Sequence, residues 1–115
     1  MGRDEFLARL TTDFPEVVAQ ISPYEAGQLH CEVGAFRRAT EAAMDAGRFW
    51  ETERHFRLVE EMLSNADPEL RNALEVSYLE DLALGDCTPQ RYKAVRERMP
   101  GPLRLILIGH HDQWK

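Results

Sequence analysis

Two neighbouring carboxylates, Glu80 and Asp81, and four histidines, His30, His55, His110 and His111, are the side chains of this sequence best suited to chemistry. A carboxylate pair does general acid–base work when one member stays protonated beside an ionised one. Adjacent residues on a helix diverge by about 100°, so Glu80 and Asp81 do not naturally share one substrate atom. His30 stands beside Cys31, and His110-His111 beside Asp112, all of them types that ligate metals. Sequence neighbours on a helix point apart, however, and no His-Glu-x-x-His spacing occurs. Cys31 as a nucleophile needs a lowered thiol pKa and an adjacent base, neither of which spacing supplies. There is no Gly-rich phosphate loop and no Gly-x-Ser-x-Gly elbow. The residues therefore assign no catalytic site, no metal and no cofactor, and the chain is expected not to be an enzyme.

The helix that must carry the two acids is bounded by local signals. Asp67 is a good N-cap, Pro68 fits the first helical position, and Gly85 suits a C-terminal closure with positive φ. At about 100° per residue, Leu70, Ala73, Leu74, Ser77 and Leu84 gather on one arc, with Arg71, Asn72 and Glu75 opposite. That reading sets Asp81 between Leu70 and Leu74, and Glu80 beside Ala73 and Val76. Both acids also stand near a helix C-terminus, where the macrodipole disfavours negative charge. Either cations from elsewhere pair with them or they serve a function.

The charge of the chain supplies the cations. The net charge is −6, but residues 1–87 hold 18 acidic and 8 basic side chains, whereas residues 88–115 hold 2 acidic and 6 basic ones. The basic segment, Arg91, Lys93, Arg96, Arg98, Arg104 and Lys115, is expected to fold back on the acidic body, with Glu80, Asp81, Arg96 and Arg104 forming structural ion pairs. Nucleic-acid binding by Arg91, Lys93, Arg96 and Arg98 is opposed by the overall negative charge.

A length of 115 residues fits one domain, residues 1–115. Phe6, Leu7, Leu10 and Phe14 repeat at helical spacing, and Pro15 opens a second run with Val17, Val18 and Ile21 that Ser22-Pro23 ends. After a linker through Gly27, Val33, Phe36, Thr40, Ala43 and Met44 mark one helical face as far as Gly47. A further helix, about Phe49 to Asn65, directs Phe49, Phe56, Val59 and Leu63 inward, with Glu53, Arg57 and Glu61 as an i,i+4 ladder. Thr88-Pro89 starts a short helix carrying Tyr92, Val95 and Met99, and Leu103 to Ile108 follows the Pro100-Gly101-Pro102 break as a terminal helix. The prediction is an all-α fold, a single compact bundle of five to six helices. No window suits a membrane span, no secretory signal opens the chain, and Cys31 and Cys87 read as free thiols, so a cytoplasmic protein that meets neither membrane nor nucleic acid is expected. Trp50 and Trp114 read either as core or as interface residues.

The run Leu74-Glu75-Val76-Ser77-Tyr78-Leu79-Glu80-Asp81-Leu82, preceded by His55-Phe56-Arg57-Leu58-Val59-Glu60-Glu61-Met62-Leu63, resembles small acidic all-helical bacterial immunity-type proteins of toxin–immunity loci. The resemblance covers about Phe49 to Trp114, including the Pro100-Gly101-Pro102-Leu103 break. It implies an all-α domain without a cofactor whose partner is a cognate protein toxin. An acidic surface speeds encounter with a basic cleft. Glu51, Glu53, Glu60, Glu61 and Glu75, with Trp50 as an aromatic anchor, are the expected partner-binding residues. The alternative is a helical adaptor or regulatory subunit, with a homodimer as its self-associating form.

Overall fold

Pro15, Pro68 and Pro89 each occupy the first position of a helix, where a missing backbone donor is harmless. The computed structural model describes residues 1–84 and 88–110, with backbone only at 84 and 110. It contains, among the described residues, seven helices and no strand. They are α1 (Arg3–Asp13), α2 (Pro15–Ala19), α3 (Leu29–Asp45), α4 (Phe49–Asn65), α5, α6 (Pro89–Arg98) and α7 (Gly101–His110). α5 is one rod in three parts, Pro68–Ala73, a π-helical segment Leu74–Glu80, and Asp81–Leu84. The expected closure at Gly85, and the readings of Cys87, His111, Asp112, Trp114 and Lys115, fall outside the described residues.

Local chemistry sets most of the helix ends. Asp67 accepts a hydrogen bond from Leu70 N at 2.8 Å, and Thr88 Oγ1 accepts one from Arg91 N at 3.2 Å. Each is an N-cap worth about 1 kcal/mol. After α3, Gly47 takes φ 75°, which returns the chain so that Arg48 N reaches Ala43 O at 2.8 Å. Between α2 and α3, Ser22 and Glu25 cap each other reciprocally, Ser22 N to Glu25 Oε1 at 3.1 Å and Glu25 N to Ser22 Oγ at 3.2 Å.

The core is one apolar cluster in which Phe6, Leu10 and Phe14 of the N-terminal arm meet Val33 and Phe36 of α3, Phe56 and Val59 of α4, and Leu70, Tyr78 and Leu79 of α5. Val95 and Met99 of the α6 segment, and Leu103 and Leu107 of α7, complete it. Burying each large apolar side chain contributes roughly 1.5–3 kcal/mol. Phe49, expected inward, is only half-buried and lies under the Arg98 guanidinium, 4.0 Å from its ring centre. Glu32 is buried in the first turn of α3. Arg3 holds it with two 2.8 Å hydrogen bonds and Gly27 N donates a third at 3.1 Å.

The arc expected for α5 holds only as far as Leu74. Buried residues advance from Leu70 to Ala73 and Leu74, then to Tyr78 and Leu79, then to Leu82 and Ala83. The middle stride is five residues, where the other strides are three to four. A π segment bonds i to i+5 and so holds one residue more than an α-helix, which turns everything beyond it by about 100°. Ser77 leaves the core line and Asp81 becomes 54% exposed, while Tyr78 moves fully inside.

Candidate protein-interaction surface

α4 buries Thr52, His55, Phe56, Val59, Met62 and Leu63, so the residues a half-turn away face outward. Trp50, Arg54, Arg57, Glu61 and Ser64 follow one another at helical strides along that outer side. Trp50 is 71% exposed, which overturns its core reading. Arg54 bridges inward from it, with its guanidinium carbon 5.0 Å from the Trp50 ring centre and 4.9 Å from that of Phe14, a buried residue at the end of α1. Beside this stack a shallow groove of about 200 Å³ runs between α1 and α4, lined by Arg9, Asp13, Phe14, Arg54, Arg57 and Glu61. A second hollow of about 360 Å³ continues it past Arg57, Glu60, Glu61 and Ser64.

The five acids expected to bind a partner do not form one acidic patch. Glu61 receives Arg9 in a two-pronged contact at 3.0 and 2.9 Å, and Arg9 also reaches Asp13 at 3.3 Å. That guanidinium holds the Glu61 carboxyl below the usual carboxylate range. Glu53 pairs with Arg98 at 3.4 Å, Glu51 with Arg48 at 2.9 Å, and Glu75 with Arg71 at 3.4 Å. The expected Glu53-Arg57-Glu61 ladder is therefore replaced, at both acids, by arginines from other helices. Glu60 lines the second hollow, and Glu75 stands apart on α5. Trp50, Glu53, Glu60 and Glu61 are the members that α4 brings to one side.

Of the acids expected to pair with the basic segment, Asp81 takes a partner from another helix. Asp81 pairs with Arg37 of α3 at 3.0 Å, because the π segment turns it toward that helix. Arg37 also donates to Ser77 O at 3.2 Å, giving a partner to a carbonyl of the widened turn. Arg91 fastens α6 to α3, through Asp45 at 2.6 Å and Glu41 at 3.0 Å, and Arg98 fastens it to α4 through Glu53. The segment folds onto the acidic body through Arg91 and Arg98. Arg96 stacks on Tyr92 of its own helix at 5.8 Å and donates to Tyr92 Oη at 3.2 Å. Arg104 and Glu80 are half-buried.

A family model described as a domain of unknown function, DUF7674, matches residues 7–115. The chain belongs to this family. No curated protein and no solved structure matches it.

Other constellations in this DUF7674 chain have defined geometry. His30 Nδ1 lies 2.6 Å from Ser77 Oγ, the spacing of a base and a nucleophile. Ser77 sits inside a helix whose own N–H groups bond along the rod, so the arrangement offers no donor pair for an oxyanion. Cys31 Sγ reaches Gln28 Oε1 at 3.6 Å and no base. Among the described residues no three His, Cys, Asp or Glu side chains are grouped to hold a metal, and no helix is long and apolar enough to cross a membrane.

His55 belongs to a buried polar cluster of the DUF7674 fold. Its Nδ1 lies 2.8 Å from Thr40 Oγ1, which is also 2.6 Å from Tyr78 Oη and donates to Phe36 O at 3.2 Å. With the ring hydrogen on Nδ1, Thr40 accepts from His55 and from Tyr78, and all three hydrogens have acceptors. Nε2 has no polar partner, and the ring is packed edge-on to Phe14 at 4.5 Å. Burial lowers the His55 pKa to about 4, with Arg54 and Arg48 adding to the effect, and burial pushes the Tyr78 phenol above its ordinary range.

Proposed function

We propose that this DUF7674 protein is a non-enzymatic bacterial immunity protein that binds and neutralises a cognate toxin in the cytoplasm, with the outer side of α4 as its contact surface. The observation that carries the reading is Trp50, a large aromatic held in the open beside Arg54 on a helix whose other side is anchored in the core. Trp and Arg are the residue types most often dominant in binding energy, and a rigid helix presents them at little entropic cost. The resemblance of Phe49 to Trp114 to immunity-type proteins supplies the class of partner. Co-expression with the product of the neighbouring gene tests it. Rescue of growth and co-purification, both weakened by Trp50→Ala, are expected; neither rescue nor co-purification would overturn the proposal.

A self-associating adaptor is the second reading, favoured by one observation. Leu105 is 69% exposed and Ile108, one turn on, is also exposed, so α7 shows an apolar strip. Sedimentation of the purified protein distinguishes them: a stable dimer that Leu105→Glu dissociates supports the adaptor.

A further inference from the structure

We infer that Arg54 and Arg57 form a carboxylate-binding pair, and that the segment of partner protein docked on α4 carries an acidic side chain next to an apolar one that rests on Trp50. The inference deepens the proposed interaction surface, and rests on that surface rather than on the toxin.

The arginines of this protein are mostly spent on its own acids. Arg3, Arg9, Arg37, Arg38, Arg48, Arg71, Arg91 and Arg98 all hold carboxylates. Arg54 and Arg57 are different, since among the described residues neither is paired with one. They stand three residues apart on one helical face, where side chains are neighbours. Arg54 is also held in place, because its guanidinium carbon lies within 5.0 Å of both the Phe14 and the Trp50 ring centres, and the side chain remains partly exposed in the groove. A planar fork held between rings loses little freedom when it accepts a carboxylate, and two such forks can share one.

Charge decides between a protein and a nucleic-acid occupant. Asp13, Glu60 and Glu61 border the same groove, and the chain carries −6 overall. A continuous polyphosphate would run along all of those acids, whereas a single carboxylate needs only the two guanidinium groups, and the adjoining Asp13 and Glu61 carboxylates are already held by Arg9. The geometry also limits the segment. At 1.5 Å per residue, Trp50 lies roughly 8 Å along α4 from the midpoint of the two arginines, and the Arg54 guanidinium reaches back to 5.0 Å from the Trp50 ring centre, so an extended chain spans the two subsites in at most about two to three residues.

Selection of random displayed dodecapeptides on the intact protein tests this without a known partner. Enriched peptides should hold Asp or Glu within about three positions of a large apolar residue. For a synthetic peptide of that motif, Arg54→Gln/Arg57→Gln, and separately Asp→Asn or Glu→Gln in the peptide, should weaken binding at least about tenfold. Arg57→Gln alone, which leaves the Phe14 contact intact, should weaken it by a smaller factor, and Arg104→Gln should not. A decauridylate should not compete. Selection of no acidic motif, unchanged binding by the double variant, or competition by the oligonucleotide would each overturn the inference. Growth rescue reports on the immunity role separately: an acidic motif without rescue leaves the surface and removes the toxin, and rescue without the motif moves the contact elsewhere.

Discussion

The hydroxyl groups of Thr40 and Tyr78 meet at 2.6 Å inside the core, on the one threonine oxygen that His55 also contacts. Thr40 is thus the hub of the cluster. Tyr78→Phe removes a single hydrogen bond and should cost about 1 kcal/mol. Thr40→Val strands both the tyrosine hydroxyl and the histidine N–H, and should cost about 2–5 kcal/mol. Urea unfolding of the two single variants and the double variant checks the order, and the double should cost less than the sum.

Acid should weaken the protein through His55 before it reaches the carboxylates. The unfolded histidine takes up a proton near its ordinary 6.5, and the folded one only near about 4. Between those values the unfolded state binds more protons, so stability falls as pH falls. The loss relative to His55→Leu should approach about 3 kcal/mol across that window. Stability curves of both proteins at pH 7.5, 5.5 and 4.5 measure it, and a constant difference between them would be the contrary result. Glu32, Asp45 and Glu61, held below the usual carboxylate range by Arg3, Arg91 and Arg9, contribute stability that is lost at lower pH, as they protonate.

The two fastenings of the acidic body differ in strength. Asp81→Ala should lower stability by less than about 1 kcal/mol, since the Asp81–Arg37 contact is half in solvent. Arg91→Gln removes contacts to both Asp45 and Glu41 from a side chain that is 17% exposed, and should cost about 1 kcal/mol or more. Thermal unfolding at low and high salt checks both, with the smaller change in high salt.

Deletion of one residue from the π segment should be tolerated. Removing Val76, which is exposed, restores α-helical strides that keep Leu70, Leu74, Tyr78 and Leu82 on the core line. Removing Asn72 from the preceding α-helical turn instead rotates Leu70 against all that follows. Circular dichroism and urea midpoints should show the first variant folded and the second unfolded or far weaker.

Helix ends were legible in the sequence because capping is local: Asp67-Pro68, Thr88-Pro89 and Gly47 act on their own backbones. The inward face of α3 was legible for the same reason, since Val33, Phe36, Thr40, Ala43 and Met44 keep one period. The phase of α5 past Leu74 was not, because a constant 100° per residue has no place for a stride of five. The partners of Glu53, Glu61 and Asp81 were hidden as well, lying 45, 52 and 44 residues away in sequence. Of the candidate surface, Trp50 was visible as a residue type, and Arg54 follows it at the i,i+4 spacing of a stacked pair. Nothing local announced that Phe14 would close the stack from α1.

The extra residue in α5 makes that rod a crankshaft. Its first part buries Leu70, Ala73 and Leu74, and its second, offset by the wide turn, turns Tyr78 inward to the polar hub on α3. A straight helix serving both would need a second bend in some neighbour, so one surplus residue spares the rest of the bundle a distortion.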